Sequence, residues 1–329
     1  METFKSFYQK LYTVNDSSFT DIALEVFRFQ AFHNPVYKSF IETLSISANE
    51  IKTLEQIPFL PISFFKTFSI KSGDWLPETI FTSSGTSRQG VSQHAVASLQ
   101  FYLNNAQNSF EHFFGSITDY HFLALLPSYT EREGSSLITM MDHFIKHSGS
   151  KHSAFYLHDH EKLIDKLLEL KTDERRTILW GVSFALLDLA ERFQVDLSHC
   201  LVFETGGMKG RRKEITRFEL QSILEEKLRV KSLFSEYGMT ELLSQAYSTG
   251  NQQFKCQPWM KIICRELTDP FERGLLYETG GINVIDLANS QTVSFIETED
   301  LGKAYPNGFF EVLGRLDNSD VRGCNLMIV

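Results

Sequence analysis

The chain is predicted to be an α/β protein in which a helix-covered, mostly parallel sheet is followed by an antiparallel β subdomain. Three observations in its 329 residues carry that expectation. The first 75 residues place Phe and Tyr at helical spacing, as in Phe4, Phe7, Tyr8 and Leu11. From Phe81 to about Tyr247, short apolar runs alternate with longer amphipathic stretches, the rhythm of βαβ crossovers. After Gln252 short strands follow one another with turn signals and no helix between them. The boundaries read from these shifts are a helical entry over 1–75, a parallel α/β part over 76–250, a β subdomain over 251–313 and a hinge-like tail over 314–329.

Each element has its own local signal. The entry segment passes into the proline-punctuated "IPFLPISFFKTF", a long connection. The parallel part reads as "HFLALLP", a helix from Gly134, "SAFYL", a helix from Glu161, "TILWGV", a helix from Phe184, "CLVFET", a helix from Lys209, and "VKSLFSEYG". The later strands are "KIICREL", "GLLYETGG", "INVIDL", "TVSFIET" and "GFFEVLG".

Composition narrows the function classes. Lys and Arg number 32 against 41 Asp and Glu, a net charge of −9. Sequence-independent nucleic-acid binding needs phosphate neutralised by Lys and Arg, so no nucleic-acid partner is expected. No apolar run reaches the roughly 18 residues of a membrane span. The N-terminus "METFKSFYQKLY" lacks the apolar core of a signal peptide, and a cytoplasmic protein is expected. Cys200, Cys256, Cys264 and Cys324 show no CxxC pairing, which disfavours zinc and a disulfide framework.

The stretch "FTSSGTSRQG", residues 81–90, gathers hydroxyls around glycine after an apolar approach. It fits a surface turn or a loop that holds phosphate, and a helical pattern read from near Val91 would add a helix N-terminus to the second option. No Gly-Lys-Ser/Thr follows, so it is not a kinase-type P-loop. "FETGGMKG" ends a strand with glycines that allow a planar ring close to the backbone. "SEYGMTE", residues 235–241, sets an aromatic, a hydroxyl and a carboxylate at another strand end: they could supply a ring face, a phosphate contact and a Mg²⁺ ligand, or be a core aromatic and a helix-start carboxylate. "ETEDLG" offers a carboxylate for ribose hydroxyls.

In this order "TSSGTS", "ETGG", "EYGMTE", "TEDLG" and "GRLDNSDVRG" resemble the adenylate-forming superfamily. "SEYGMTELLSQAY" and "GRLDNSDVRGC" are most similar to its acyl-protein synthetase (LuxE-type) branch, related to phenylacetate-CoA ligases. The resemblance covers about Ile57 to the end and implies the large N-terminal-type domain of these enzymes, with ATP and Mg²⁺ as cofactors. It implies a phosphate loop of Thr82, Ser83, Ser84, Gly85, Thr86 and Ser87. Gly206 and Gly207 would flank adenine and Tyr237 would stack on it. Thr240 would meet the α-phosphate, Glu241 would hold Mg²⁺, and Asp300 and Arg315 would hold the ribose. A carboxylic acid, in this branch a fatty acid, would become an acyl-adenylate. Cys324 lies where the resembled enzymes carry the cysteine that accepts the acyl group, for delivery to an acyl-CoA-reductase-type or acyl-carrier partner.

Two departures from the pattern stand out. The phosphate loop usually ends in lysine, but here Arg88 stands at a different position. The small C-terminal domain that brings a lysine to adenylation has no room after Arg315, so the chain is expected to lack it. Two further readings stay open: an acyl-CoA ligase, or a non-catalytic subunit that binds nucleotide or acyl-adenylate for a reductase. Of the other candidates, "LHDH" with His152 reads as a solvated loop, and "WGVSFALL" fits an acyl pocket and a core segment equally well.

Overall fold

The computed structural model describes residues 2–83, 90–127, 133–157, 159–206, 215–250 and 252–316. The chain divides into two compact units, one running from Pro77 to Lys255, the other combining the residues up to Leu76 with those from Cys256 onward. In chain order the N-terminal elements are helices α1 (Glu2–Leu11), α2 (Asp16–His33) and α3 (Pro35–Thr43), then the short strand β1 (Leu60–Pro61). Next come β2 (Thr79–Thr82), β3 (Gln93–Val96), α4 (Leu99–Phe114), β4 (Tyr120–Leu125), α5 (Ser136–His147), β5 (Ala154–Phe155) and α6 (His160–Glu169). They are followed by β6 (Arg176–Val182), α7 (Ser183–Arg192), β7 (Cys200–Thr205), α8 (Arg217–Leu228), β8 (Leu233–Tyr237), β9 (Ala246–Ser248) and β10 (Phe254–Lys255). The last strands are β11 (Met260–Arg265), β12 (Arg273–Leu275), β13 (Gly280–Asp286), β14 (Phe295–Ala304) and β15 (Phe309–Arg315).

In the Pro77–Lys255 unit, β5, β4, β6, β7 and β8 pair in parallel in that spatial order, and β9 and β10 add antiparallel. Because β5 lies on one side of β4 and β6 on the other, the crossovers reverse direction there. Open sheets bind ligands outside the strand carboxyl ends at such a switch point. β4 is buried along its whole length, as strands covered on both faces require. Over one face Phe110 and Phe114 of α4 cover a ladder in which Trp180 stacks on Phe203 and Phe203 on Phe234, with centroids 4.7 and 5.1 Å apart. "WGVSFALL" packs into this core: Trp180 and Leu186 are fully buried.

The other unit is an antiparallel sheet ordered β12-β11-β13-β14-β15, with β1 parallel against β14. The N-terminal helices belong to it because their buried polar groups are satisfied there. The Gln30 amide of α2 donates to the carbonyls of Asn289 and Ser290 at 3.0 and 3.1 Å and accepts from the Ser294 amide at 2.9 Å. Asn34, between α2 and α3, donates to the Thr292 carbonyl at 2.9 Å. Unpaired, such buried amides would each cost on the order of 1–3 kcal/mol.

Two expectations are corrected. The helix read from Lys209 begins, among the described residues, only at Arg217, where the Thr216 side chain caps the Glu219 amide. The stretch after the hydroxyl-rich loop is not a helix from Val91 but the strand β3, paired antiparallel with β2 in the register Phe81↔His94. Gln93, His94, Ala95 and Val96 alternate between outward and buried positions, the period of a strand. Helix α4 starts only at Leu99, where the Ser98 side chain caps the Phe101 amide.

Candidate functional site

The hydroxyl-rich loop is the connection of the β2–β3 hairpin. Its base is closed by the Ser83 amide donating to the Ser92 carbonyl at 3.1 Å and the Ser92 amide donating to the Ser83 hydroxyl at 3.0 Å. The Thr82 amide donates to the Gly134 carbonyl at 2.7 Å. Ser84, Gly85, Thr86 and Ser87, the rest of the predicted phosphate loop, lie outside the described residues, as does Arg88.

At the end of β7, Thr205 is buried and Gly206 turns the chain with φ +75°, a conformation that favours glycine. Gly207 lies outside the described residues. The Thr205 hydroxyl donates to the Glu236 carboxylate, and the Ser183 hydroxyl donates to Glu204 at 2.7 Å. Both acids are buried. Thr205, Glu236 and Tyr247 are register partners across β7, β8 and β9, so they form one cross-strand row. Burial, and then the Glu236 charge, pushes the Tyr247 hydroxyl well above the usual phenol range.

The end of β8 supplies the next group. Tyr237 is buried, with the Phe254 ring against it at 6.0 Å and 64°. Gly238 follows where a Cβ would sit 2.1 Å from a Glu236 carboxylate oxygen, so only glycine fits beside that acid as placed. The loop beyond is held on two sides. His94 of β3 meets the Thr240 carbonyl through Nδ1 at 2.8 Å, and Asn105 of α4 donates to the Leu243 carbonyl and the Ser244 hydroxyl at 2.8 and 3.0 Å. Glu241, between these ties, is buried. Among the described residues no group of three or more His, Cys, Asp or Glu is placed to hold a metal ion. A single carboxylate still suits Mg²⁺, which takes one or two protein oxygens and completes its shell with phosphate and water.

In the other unit, Asp300 of β14 and Arg315 of β15 are register partners. Arg315 Nε lies 3.5 Å from Asp300 Oδ1, and the arginine side chain is 80% exposed while the carboxylate is nearly buried. Cys324 lies outside the described residues. Of the "LHDH" group, His158 is likewise outside, Asp159 caps α6 by accepting from the Lys162 amide, and His160 meets Arg192 at 3.2 Å.

Sequence reasoning passed over His94, Thr205 and Glu236. The signal for His94 was present in "QHAV", whose alternation turns the histidine inward once it is read as a strand.

No family model and no curated protein sequence matches the chain. Solved structures do. ATP-bound MatB from Rhodopseudomonas palustris is similar at 16% identity and TM-score 0.54, over 72% of this chain and 47% of that one. 2-Hydroxyisobutyryl-CoA ligase in complex with 2-HIB-AMP is similar at 12% identity and TM-score 0.65, over 92% and 68%. O-succinylbenzoate coenzyme A synthetase (MenE) from Bacillus subtilis, in complex with ATP and magnesium ion, is similar at 17% and 0.52, over 75% and 52%. The chain thus spans about half the length of MatB and MenE. Identities this low establish a shared architecture.

Proposed function

We propose that the chain activates a carboxylic acid with ATP and Mg²⁺ to an acyl-adenylate and passes the acyl group to a thiol. The observation that carries this reading is the His94–Thr240 contact, which joins the hydroxyl-rich hairpin to the "YGMTE" loop at the carboxyl ends of a doubly wound sheet. The acid is a fatty acid and the thiol is Cys324 on the strength of the acyl-protein-synthetase resemblance.

In the first half-reaction a carboxylate oxygen bonds to the α-phosphorus as the bond from that phosphorus to its bridging oxygen breaks, and pyrophosphate leaves. The hydroxyls of the Thr82–Ser87 loop and the Thr240 hydroxyl would donate to phosphoryl oxygens as charge builds on them. Glu241 would hold Mg²⁺, whose chemistry is to neutralise phosphate charge. Gly206 and Gly207 would flank adenine, Tyr237 would stack on it, and Asp300 and Arg315 keep the ribose role that the resemblance gives them. In the second half-reaction a thiolate bonds to the acyl carbon, the bond to the AMP oxygen breaks, and AMP leaves.

ATP–pyrophosphate exchange dependent on an added acid tests the reading, with a scan from short to long carboxylic acids. No exchange with any acid would return the chain to a nucleotide-binding role beside a reductase. A second reading, transfer to coenzyme A, is favoured by two similar structures whose proteins are coenzyme A ligases. Acyl-CoA formation in place of protein thioester would establish it.

A further inference from the structure

The loop from Gly238 to Gln245 carries Thr240 and Glu241, yet it contains no regular element of its own. Its placement depends on what grips it from neighbouring elements. One grip comes from α4 through Asn105, at the Leu243 carbonyl and the Ser244 hydroxyl. Another comes from His94, at the Thr240 carbonyl. These two ties bracket Glu241.

His94 is two residues beyond Ser92, whose amide and carbonyl close the base of the hydroxyl-rich hairpin on Ser83. Opposite His94 on β2 is Phe81, fully buried and packed on Tyr102 of α4 at 4.7 Å. Hairpin, α4 and loop therefore form one closed frame: β2 to α4 through Phe81 and Tyr102, α4 to the loop through Asn105, and the loop to β3 through His94. A carbonyl oxygen can only accept, so His94 Nδ1 carries the hydrogen and the ring donates. A valine or isoleucine would serve a buried strand position equally well. What histidine adds is a rigid donor that reaches the neighbouring loop.

We propose that His94 is a positioning residue for adenylation: its Nδ1–H fixes the Thr240 carbonyl and thereby holds Thr240 and Glu241 in register with the hydroxyl-rich hairpin. The proposal rests on the functional reading above. Burial holds the ring neutral, with its protonation pushed down to about 4, so the donor is the same across neutral pH.

The test compares His94→Leu with His94→Asn in the full chain. Leucine fills similar volume without a donor; asparagine keeps an N–H close to the position of Nδ1. Pyrophosphate exchange, its Mg²⁺ midpoint, and amide hydrogen exchange over 238–243 without ligand are measured for each. His94→Leu is expected to lower exchange turnover per folded molecule about tenfold, the worth of one buried hydrogen bond. It should also raise the Mg²⁺ midpoint and speed amide exchange in the loop, while His94→Asn recovers all three. A leucine variant with the wild-type Mg²⁺ midpoint and unchanged loop amides overturns the proposal, and so does an asparagine variant that behaves like leucine. Should the wild-type chain exchange no pyrophosphate with any acid, the functional reading falls first. The amides then decide separately whether His94 holds the loop: faster exchange in leucine alone keeps the coupling, and unchanged amides remove it.

Discussion

His94 is neutral because desolvation of its charged form outweighs the hydrogen bond to Thr240. That has a consequence for stability. An unfolded chain binds a proton on this ring near pH 6.5, whereas the folded chain does so only near pH 4. The unfolded state therefore holds more protons in that window, and stability falls as the pH drops through it, by at most ~1.4 kcal/mol per pH unit from this one group. His143 of α5, lowered to about 4 by burial and then by His147, adds in the same direction. Urea midpoints at pH 7, 6 and 5 should decline, and His94→Asn should decline less steeply; parallel slopes would show that His94 is charged when folded. Asp300 and Arg315 give a different case. Exposed ion pairs contribute at most about 1 kcal/mol, so Arg315→Ala should barely change the melting temperature of the ligand-free protein. If the pair contacts ribose, Arg315→Ala should reduce the rise in melting temperature that ATP with Mg²⁺ produces. A full rise in the variant would leave Arg315 a surface arginine.

Among the elements, α4 does the most to hold the candidate site, since it covers the aromatic ladder with one turn and grips the Leu243 carbonyl and the Ser244 hydroxyl with another. Phe110 is fully buried and faces Tyr120, Phe122, Phe144, Trp180, Phe203 and Tyr247 with centroids between 5.4 and 6.2 Å. Phe110→Ala should cost about 3–5 kcal/mol, read from denaturant unfolding. A loss under 1 kcal/mol would mean that the ladder closes without it. The hairpin makes the opposite prediction. Ser84→Ala with Thr86→Ala should leave stability nearly unchanged and cut acyl-adenylate formation more than tenfold, because each charge-assisted hydrogen bond is worth about 1.5–3 kcal/mol. Unchanged turnover would make "TSSGTS" a plain turn. Most strands and helices of the parallel part were legible because their apolar runs are long and bounded by turn residues, although α8 begins at Arg217 and not at Lys209. β3 was not: four residues give barely two alternations, and the glycine and serines before it look like a helix cap as much as a hairpin. His94 was lost with it.

At the scale of the whole molecule, what sequence order hides is which distant segments share a core. The helices before Leu76 join the strands after Cys256 through Gln30 and Asn34, two polar residues whose partners lie more than 250 positions away, and no local period announces that. The candidate site was legible as motifs, while the ties that place them, His94, Asn105 and the Thr205–Glu236 contact, come from tertiary pairing. The same global view bears on the acyl acceptor. Burial raises the thiol of Cys200 to about 12 and that of Cys264 to about 11, and it pushes Cys256 up as well. A thiol attacks as its thiolate, so these three are poor acceptors at neutral pH. In the sequence Cys324 stands next to Gly323 and two residues from Arg322, a cation that favours thiolate. Labelled acid with ATP should therefore leave a hydroxylamine-sensitive acyl group on Cys324. Cys324→Ser should abolish that thioester and preserve pyrophosphate exchange, since the serine sits downstream of adenylate formation. Label on Cys200, Cys256 or Cys264 would contradict the burial argument, and label on coenzyme A alone would move the acceptor off the protein.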